Sequence, residues 1–156
     1  MNIIKFVKAF KKHKIPYAIV GGHAVALHGA VRGTIDIDFI TKLTLKNLKL
    51  IELALNELGL VSRLPINATE LYHFKDEYIK NKNLIAWNFT NPQNSAEQVG
   101  IIITFDLKNK AVKKLKIHNE VINILSKRDL IEMKKFSGRK QDLIDIEALE
   151  KINEKR

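Results

Sequence analysis

Hydrophobic positions change their period along the chain, and each change marks an element. Phe6, Val7 and Phe10 recur at helical spacing among Lys5, Lys8, Lys11 and Lys12, which predicts an amphipathic helix over residues 2–13, ended by Pro16. Tyr17 to Val20 is a short β-prone run. Gly21-Gly22 follows, and the Ala-rich stretch from His23 to His28 predicts a short helix stopped by Gly29. From Ile35 to Ile40 the period is two, with Ile35, Ile37 and Phe39 alternating against Asp36 and Asp38, as in a half-buried strand. Leu48, Ile51, Leu55 and Leu58 return to helical spacing in a helix from Leu45 to Leu58 that ends at Gly59.

Residues 61–82 carry a weaker pattern, broken at Pro65, with a helix expected from Glu70 to Ile79. Leu84 to Phe89 and Val99 to Phe105 are rich in β-branched and aromatic residues and read as neighbouring strands joined by a turn from Thr90 to Ser95. Lys114 to His118 and Val121 to Leu125 flank Asn119-Glu120 and predict a hairpin. Ser126 and Asp129 have the form of a capping box opening a helix to Ser137. Gly138 stops it, and a last helix runs from Lys140 to Asn153 before a tail, Glu154-Lys155-Arg156, that is expected to fray.

With 156 residues, 46% of them hydrophobic, the chain is expected to form one domain over residues 1–156, with residues 126–153 as a helical pair packed on it. It has no cysteine, which excludes a disulfide scaffold and a thiolate zinc site. The nearly uncharged stretch from Ile15 to Val31 contains Gly21, Gly22, His23 and His28 and falls short of the roughly 20 apolar residues of a spanning helix. No membrane role is expected. The N-terminal residues lack the order of a signal peptide, so a cytoplasmic location is the default. Lys and Arg number 27 against 17 Asp and Glu, a net charge of +10 that favours polyanionic partners.

The candidate chemistry starts at Asp36 and Asp38. Two residues apart on a strand, they share a face, and unpaired carboxylates that close repel one another. A divalent cation between them, most simply Mg²⁺ or Mn²⁺, would relieve the repulsion, while a water-facing edge strand would explain the same pair without one. Gly21-Gly22 between strand and helix permits a close backbone approach to an anion, or simply a tight turn. Strand parity places Asp106 with Thr104, opposite Ile101, Ile103 and Phe105. If that strand neighbours Asp36 and Asp38, three carboxylates converge and suffice for two metal ions in phosphoryl transfer. A strand-end turn is the alternative for Asp106.

Val20-Gly21-Gly22 and Asp36-Ile37-Asp38-Phe39 together resemble the signature of the polymerase-β-like nucleotidyltransferase superfamily. The longer string Gly21-Gly22-His23-Ala24, His28-Gly29, Arg32, Thr34, Asp36-Ile37-Asp38 is similar to the AbiEii-type branch of toxin–antitoxin and phage-defence systems. Asp129-Leu130-Ile131, Lys134, Gly138-Arg139, Asp142-Leu143 and Asp145-Ile146 continue that likeness. The resemblance implies an α/β (α+β) nucleotidyltransferase fold, a mixed, mostly antiparallel sheet flanked by helices, with further C-terminal helices. It implies catalytic, metal-binding roles for Asp36, Asp38 and Asp106, and contacts from Gly21 and Gly22 to a triphosphate. Lys134 and Arg139 would neutralise that triphosphate, while Arg32 and Thr34 would shape the entrance to the acidic strand. Gly22 stands where many members carry Ser. Lys134 and Arg139 also have a plainer reading, as partners of Asp142 or Asp145.

His23 and His28 are expected to be hydrogen-bonded structural residues, and Trp87, Phe89, Tyr72 and Tyr78 to fill core and loop contacts rather than stack on a base. The expected activity is Mg²⁺- or Mn²⁺-dependent transfer of NMP from an NTP to a hydroxyl. RNA, with a tRNA end first, is the acceptor suggested by charge and by the branch, and a cognate antitoxin protein is the partner the branch implies. The alternatives are a small-molecule, antibiotic-type transferase and a non-catalytic nucleotide- or RNA-binding module.

Overall fold

The computed structural model describes residues 3–152. Asn2 and Asn153, at the expected ends of the first and last helices, and the tail 154–156 lie outside the described residues. Among the described residues thirteen elements follow in order: α1 (Ile3–Lys12), β1 (Ala18–Val20), α2 (Gly21–Leu27), β2 (Ile37–Ile40), α3 (Leu45–Glu57), β3 (Val61–Ser62), α4 (Ala68–Lys82), β4 (Ala86–Asn91), β5 (Asn94–Ile102), β6 (Val112–Ile117), β7 (Glu120–Leu125), α5 (Lys127–Ser137) and α6 (Lys140–Lys151). The strands form one sheet in the order β3-β4-β5-β2-β1-β7-β6. Among the described residues only β1–β7 and β2–β5 pair in parallel, so the sheet is mixed and mostly antiparallel, as expected.

Two adjacent rows of residues run across the sheet and do different work. Trp87, Ile101, Phe39, Ile19 and Ile124 are successive partners across five strands, and all are fully buried. One residue along, Asn88, Gly100, Asp38 and Val20 form the next row and present the opposite face. The burial of Ile37 and Phe39 therefore fixes which way Asp38 points. Phe6 and Phe10 from α1, Leu48, Ile51 and Leu55 from α3, Leu130 from α5 and Leu149 from α6 belong to one hydrophobic cluster with the first row.

Several boundaries differ from expectation for local reasons. The Asn91 side chain accepts the Gln93 N–H at 2.9 Å, closing a tight turn, so β5 extends back through the polar residues from Asn94. At its other end β5 stops at Ile102 and the chain bends through residues 103–105, short of the expected end at Phe105. Helix α4 is longer than expected because Asn67 and Glu70 form a reciprocal capping box and Asn83 ends it in the left-handed region. The hairpin turn is His118-Asn119, both with positive φ, which suits a two-residue connection. Ser126 caps α5 through the Asp129 N–H, but Asp129 turns its carboxylate to the Ala111 N–H at 2.7 Å instead of completing the box.

Among the described residues no helix is long and apolar enough to cross a membrane. Because Phe39 centres the buried row, Phe39→Ala is expected to lower unfolding free energy by about 3–5 kcal/mol. Urea denaturation would show this as a lower midpoint with an unchanged slope.

Candidate functional site

Asp38 occupies the middle of the second row, and its neighbours leave it room by having no side chains. A Cβ at Gly21 would lie 2.6 Å from Asp38 Oδ2, and one at Gly100 would lie 2.5 Å from Oδ1. Real Cβ contacts are longer, so any side chain at either position displaces the carboxylate. Gly21 also has φ +66°, the left-handed region that favours glycine. Gly100 is a site residue that the sequence did not single out, since a strand glycine beside apolar residues reads as a packing detail.

Burial and the adjacent Asp36 carboxylate push the Asp38 acid up to about 6, against the pull of Arg139 and Lys134. Asp36 itself is exposed and precedes β2. Helix α2 begins directly at Gly21-Gly22, beside Asp38. Thr34 crosses over Gly22, where a Cβ would be 2.8 Å from the Thr34 Cβ and 3.1 Å from its Oγ1. The threonine thus takes up the space that a side chain at position 22 would need.

Lys134 and Arg139 stand on the other side, on α5 and at the start of α6. Lys134 is buried, its Nζ 2.9 Å from Asp145 Oδ2 and 3.3 Å from Asp142 Oδ1. Arg139 Nε donates to Asp142 Oδ2 at 2.9 Å, and its side chain is 70% exposed. Arg32 Nε and Gln141 Nε2 both donate to Asp145 Oδ1, at 3.0 and 2.9 Å. Burial raises Asp142, yet hydrogen bonds from Arg139 and Ser137 outweigh it and hold the acid down at about 2. Burial likewise raises Asp145, and hydrogen bonds from Lys134, Gln141 and Arg32 overcome it, leaving the acid below the ordinary carboxylate range. The plainer reading of Lys134 and Arg139, as partners of these aspartates, is what the structure shows. Three cationic side chains share two carboxylates, so the cluster keeps a positive balance facing Asp38.

Between the two sides lies a cavity of about 330 Å³. Gly21, Asp38 and Thr104 line one part, Lys134, Arg139 and Ser137 another, and Ile85, Ile102, Phe105, Met133 and Phe136 give it apolar walls. Phe136 is 83% exposed although it lines the cavity, so its ring is open to a ligand. Nothing in the pattern of α5 distinguished Phe136 from a core residue. Trp87 and Phe89 are core residues, as expected, and Tyr72 packs against His73 away from this cavity. His28 Nε2 donates to the Leu125 carbonyl at 2.8 Å, the structural role expected. His23 interacts with the backbone of Ile35, its Nε2 is buried without a hydrogen-bond partner among the described residues, and burial lowers its pKa.

Asp106 does not join Asp36 and Asp38. The parity that placed it on their face ends with β5 at Ile102, and after the bend its carboxylate accepts the Lys108 N–H at 2.9 Å in an exposed turn. Among the described residues no three His, Cys, Asp or Glu side chains are grouped to hold a metal. The three-carboxylate, two-ion arrangement is therefore corrected to a pair. The Asp36–Asp38 pair, one carboxylate half-buried and raised by its neighbour, has the hard-oxygen donor chemistry of a single divalent-cation site.

No protein-family model matches the sequence, and no curated protein matches it significantly. Solved structures match the fold. The lincosamide antibiotic adenylyltransferase LnuA, solved with lincomycin bound, is 13% identical, with a TM-score of 0.64 over 97% of this chain and 96% of that one. ANT(2'')-Ia in complex with adenylyl-2''-tobramycin is 12% identical, with a TM-score of 0.60 over 94% of this chain and 84% of its own. A putative nucleotidyltransferase from Thermotoga maritima is 15% identical, with a TM-score of 0.55 over 94% and 93%. The chain has the nucleotidyltransferase fold.

An acid raised in the folded state costs nothing at a pH where it is protonated both folded and unfolded. Its cost grows between 3.8 and about 6 and is complete above that. Asp38→Asn is therefore expected to stabilise the metal-free protein by roughly 2–3 kcal/mol at about pH 7.5, with the gain vanishing near pH 4. Urea denaturation at both pH values measures it, and destabilisation at the higher one would show that the carboxylate holds the fold together.

Proposed function

We propose that this protein is a metal-dependent nucleotidyltransferase that moves NMP from an NTP to an acceptor hydroxyl. The observation that carries the reading is the Asp38 carboxylate, fitted between Gly21 and Gly100 and facing the Lys134–Arg139 cluster across a cavity. Asp36 and Asp38 would hold one Mg²⁺ or Mn²⁺, which when bound offsets phosphate charge and polarises the phosphorus toward attack. Gly21 and Gly22, whose side-chain space is taken by Asp38 and Thr34, would touch a triphosphate through their backbone. Arg139, largely exposed, can turn toward its oxygens. Lys134 is committed to Asp142 and Asp145, so it contributes its field rather than a free ammonium.

The acceptor has two readings. The charge of +10 and the AbiEii-like string from Gly21 to Asp38 support RNA, with a tRNA end first, in a toxin–antitoxin setting with a cognate antitoxin protein. The apolar walls at Ile85, Phe105 and Phe136, together with neighbours solved with lincomycin or an adenylylated tobramycin, support a hydroxylated small molecule.

Donor and metal can be tested without knowing the acceptor. Thermal unfolding of wild type and of Asp36→Asn/Asp38→Asn would be followed with each NTP, with and without Mg²⁺ or Mn²⁺. Ligand at about 100 times its dissociation constant stabilises a fold by about 2.7 kcal/mol, a shift of several degrees. A metal-dependent shift in wild type alone is the expected result. No shift with any NTP would turn the reading to a binding module. Transfer of label from the donor to total tRNA or to a panel of aminoglycosides and lincosamides then separates the acceptors.

Asp106→Asn should retain the metal-dependent shift, since Asp106 caps an exposed turn. Loss of the shift would restore it to the site.

A further inference from the structure

Asp38 and Asp36 are placed by different means. Asp38 sits in the sheet ladder between Val20 and Gly100, so its position follows from register. β2 begins only at Ile37, and Asp36 has no ladder partner. Its place depends on the segment from Gly29 to Asp36, which contains neither helix nor strand.

Two side chains of that segment are anchored. Arg32 Nε donates to Asp145 Oδ1 at 3.0 Å, while its Nη1 donates to the Gly33 carbonyl at 2.7 Å. One guanidinium thereby ties the segment's own backbone to α6. Asp145 is a firm anchor: it is 2% exposed and also accepts from Lys134 and Gln141. Two residues on, Thr34 fills the space above Gly22.

We infer that Arg32 is a positioning residue. With the Thr34–Gly22 contact it clamps the segment 29–36 between α6 and α2 and so sets Asp36 beside Asp38. The clamp stands on the contacts alone, and its consequence for a cation rests on the metal–nucleotide reading of the carboxylate pair. It gives α6 a route to the site that does not pass through the cavity. A lysine cannot substitute fully, because one ammonium lacks the planar fork that reaches a carboxylate and a carbonyl together.

Two measurements test the two halves. Amide ¹⁵N relaxation of the metal-free, nucleotide-free protein reads the clamp itself. Arg32→Ala should lower the order parameters of residues 33–36 while those of Phe39 and Ile101 stay high, and Arg32→Lys should fall between it and wild type. Gly22→Ala, which displaces Thr34, should loosen the same residues from the other side. Unchanged order parameters at residues 33–36 in both alanine variants overturn the clamp, whatever the protein binds.

The second measurement titrates Mn²⁺ with ATP, GTP, CTP or UTP present and follows free Mn²⁺ by electron paramagnetic resonance. Arg32→Ala should raise the half-saturating Mn²⁺ by about tenfold or more, as is usual when a residue orienting a metal ligand is lost. Unchanged half-saturation in a variant whose segment has loosened overturns the link from Arg32 to Asp36. Failure of wild type to bind Mn²⁺ with any nucleotide overturns the metal–nucleotide reading and that link with it, and leaves the clamp to the relaxation data.

Discussion

A half-buried carboxylate has to be given space, a direction and a counter-charge, and most of what is distinctive here supplies one of the three to Asp38. Space comes from Gly21 and Gly100, whose missing side chains lie against its two oxygens. Direction comes from the apolar row through Phe39, since burying that ring forces its neighbour onto the opposite face. Counter-charge is incomplete: Lys134 and Arg139 lower the acid, but burial and Asp36 raise it further. A carboxylate left under-compensated is relieved by a proton or by a cation.

The C-terminal helices bring the opposite problem. Lys134 is a buried cation, and such a group is costly unless paired. Asp142 and Asp145 pair it, Arg139 and Arg32 share those same acids, and the result is a compact ionic cluster one cavity away from Asp38. This cluster keeps Lys134 from reaching freely into the cavity, while the exposed Arg139 retains that freedom. Placement of charge therefore divides the two residues, although both stood in the motif as equivalent candidates.

Fold and chemistry carry different weights. The overall likeness to nucleotidyltransferase structures covers nearly the whole chain, yet at 12–15% identity it speaks to architecture. The proposed chemistry rests instead on Asp38, with Asp36, Gly21 and Gly100 beside it, and on the cationic cluster across the cavity. Among the described residues that arrangement lacks a third carboxylate, which distinguishes it from a two-ion centre.

The order of helices and strands was legible in the chain because periodicity is local. The alternation of Ile37, Asp38 and Phe39 and the helical spacing of Leu48, Ile51 and Leu55 depend only on which face each residue must bury, while Ile35, which the same alternation placed on the buried face, is 67% exposed ahead of β2. The glycines at positions 21 and 22 and the side of the sheet that carries Asp38 were legible for the same reason, whereas Asp36 lies ahead of β2, where no ladder places it. Asp106 failed because strand parity holds only while the strand continues, and a bend after Ile102 cannot be seen in alternation. Gly100 beside Asp38, Thr34 over Gly22, Arg32 on Asp145 and the open ring of Phe136 were decided by tertiary structure alone. Each depends on segments far apart in sequence meeting at a register or a crossing, and no local period encodes that meeting.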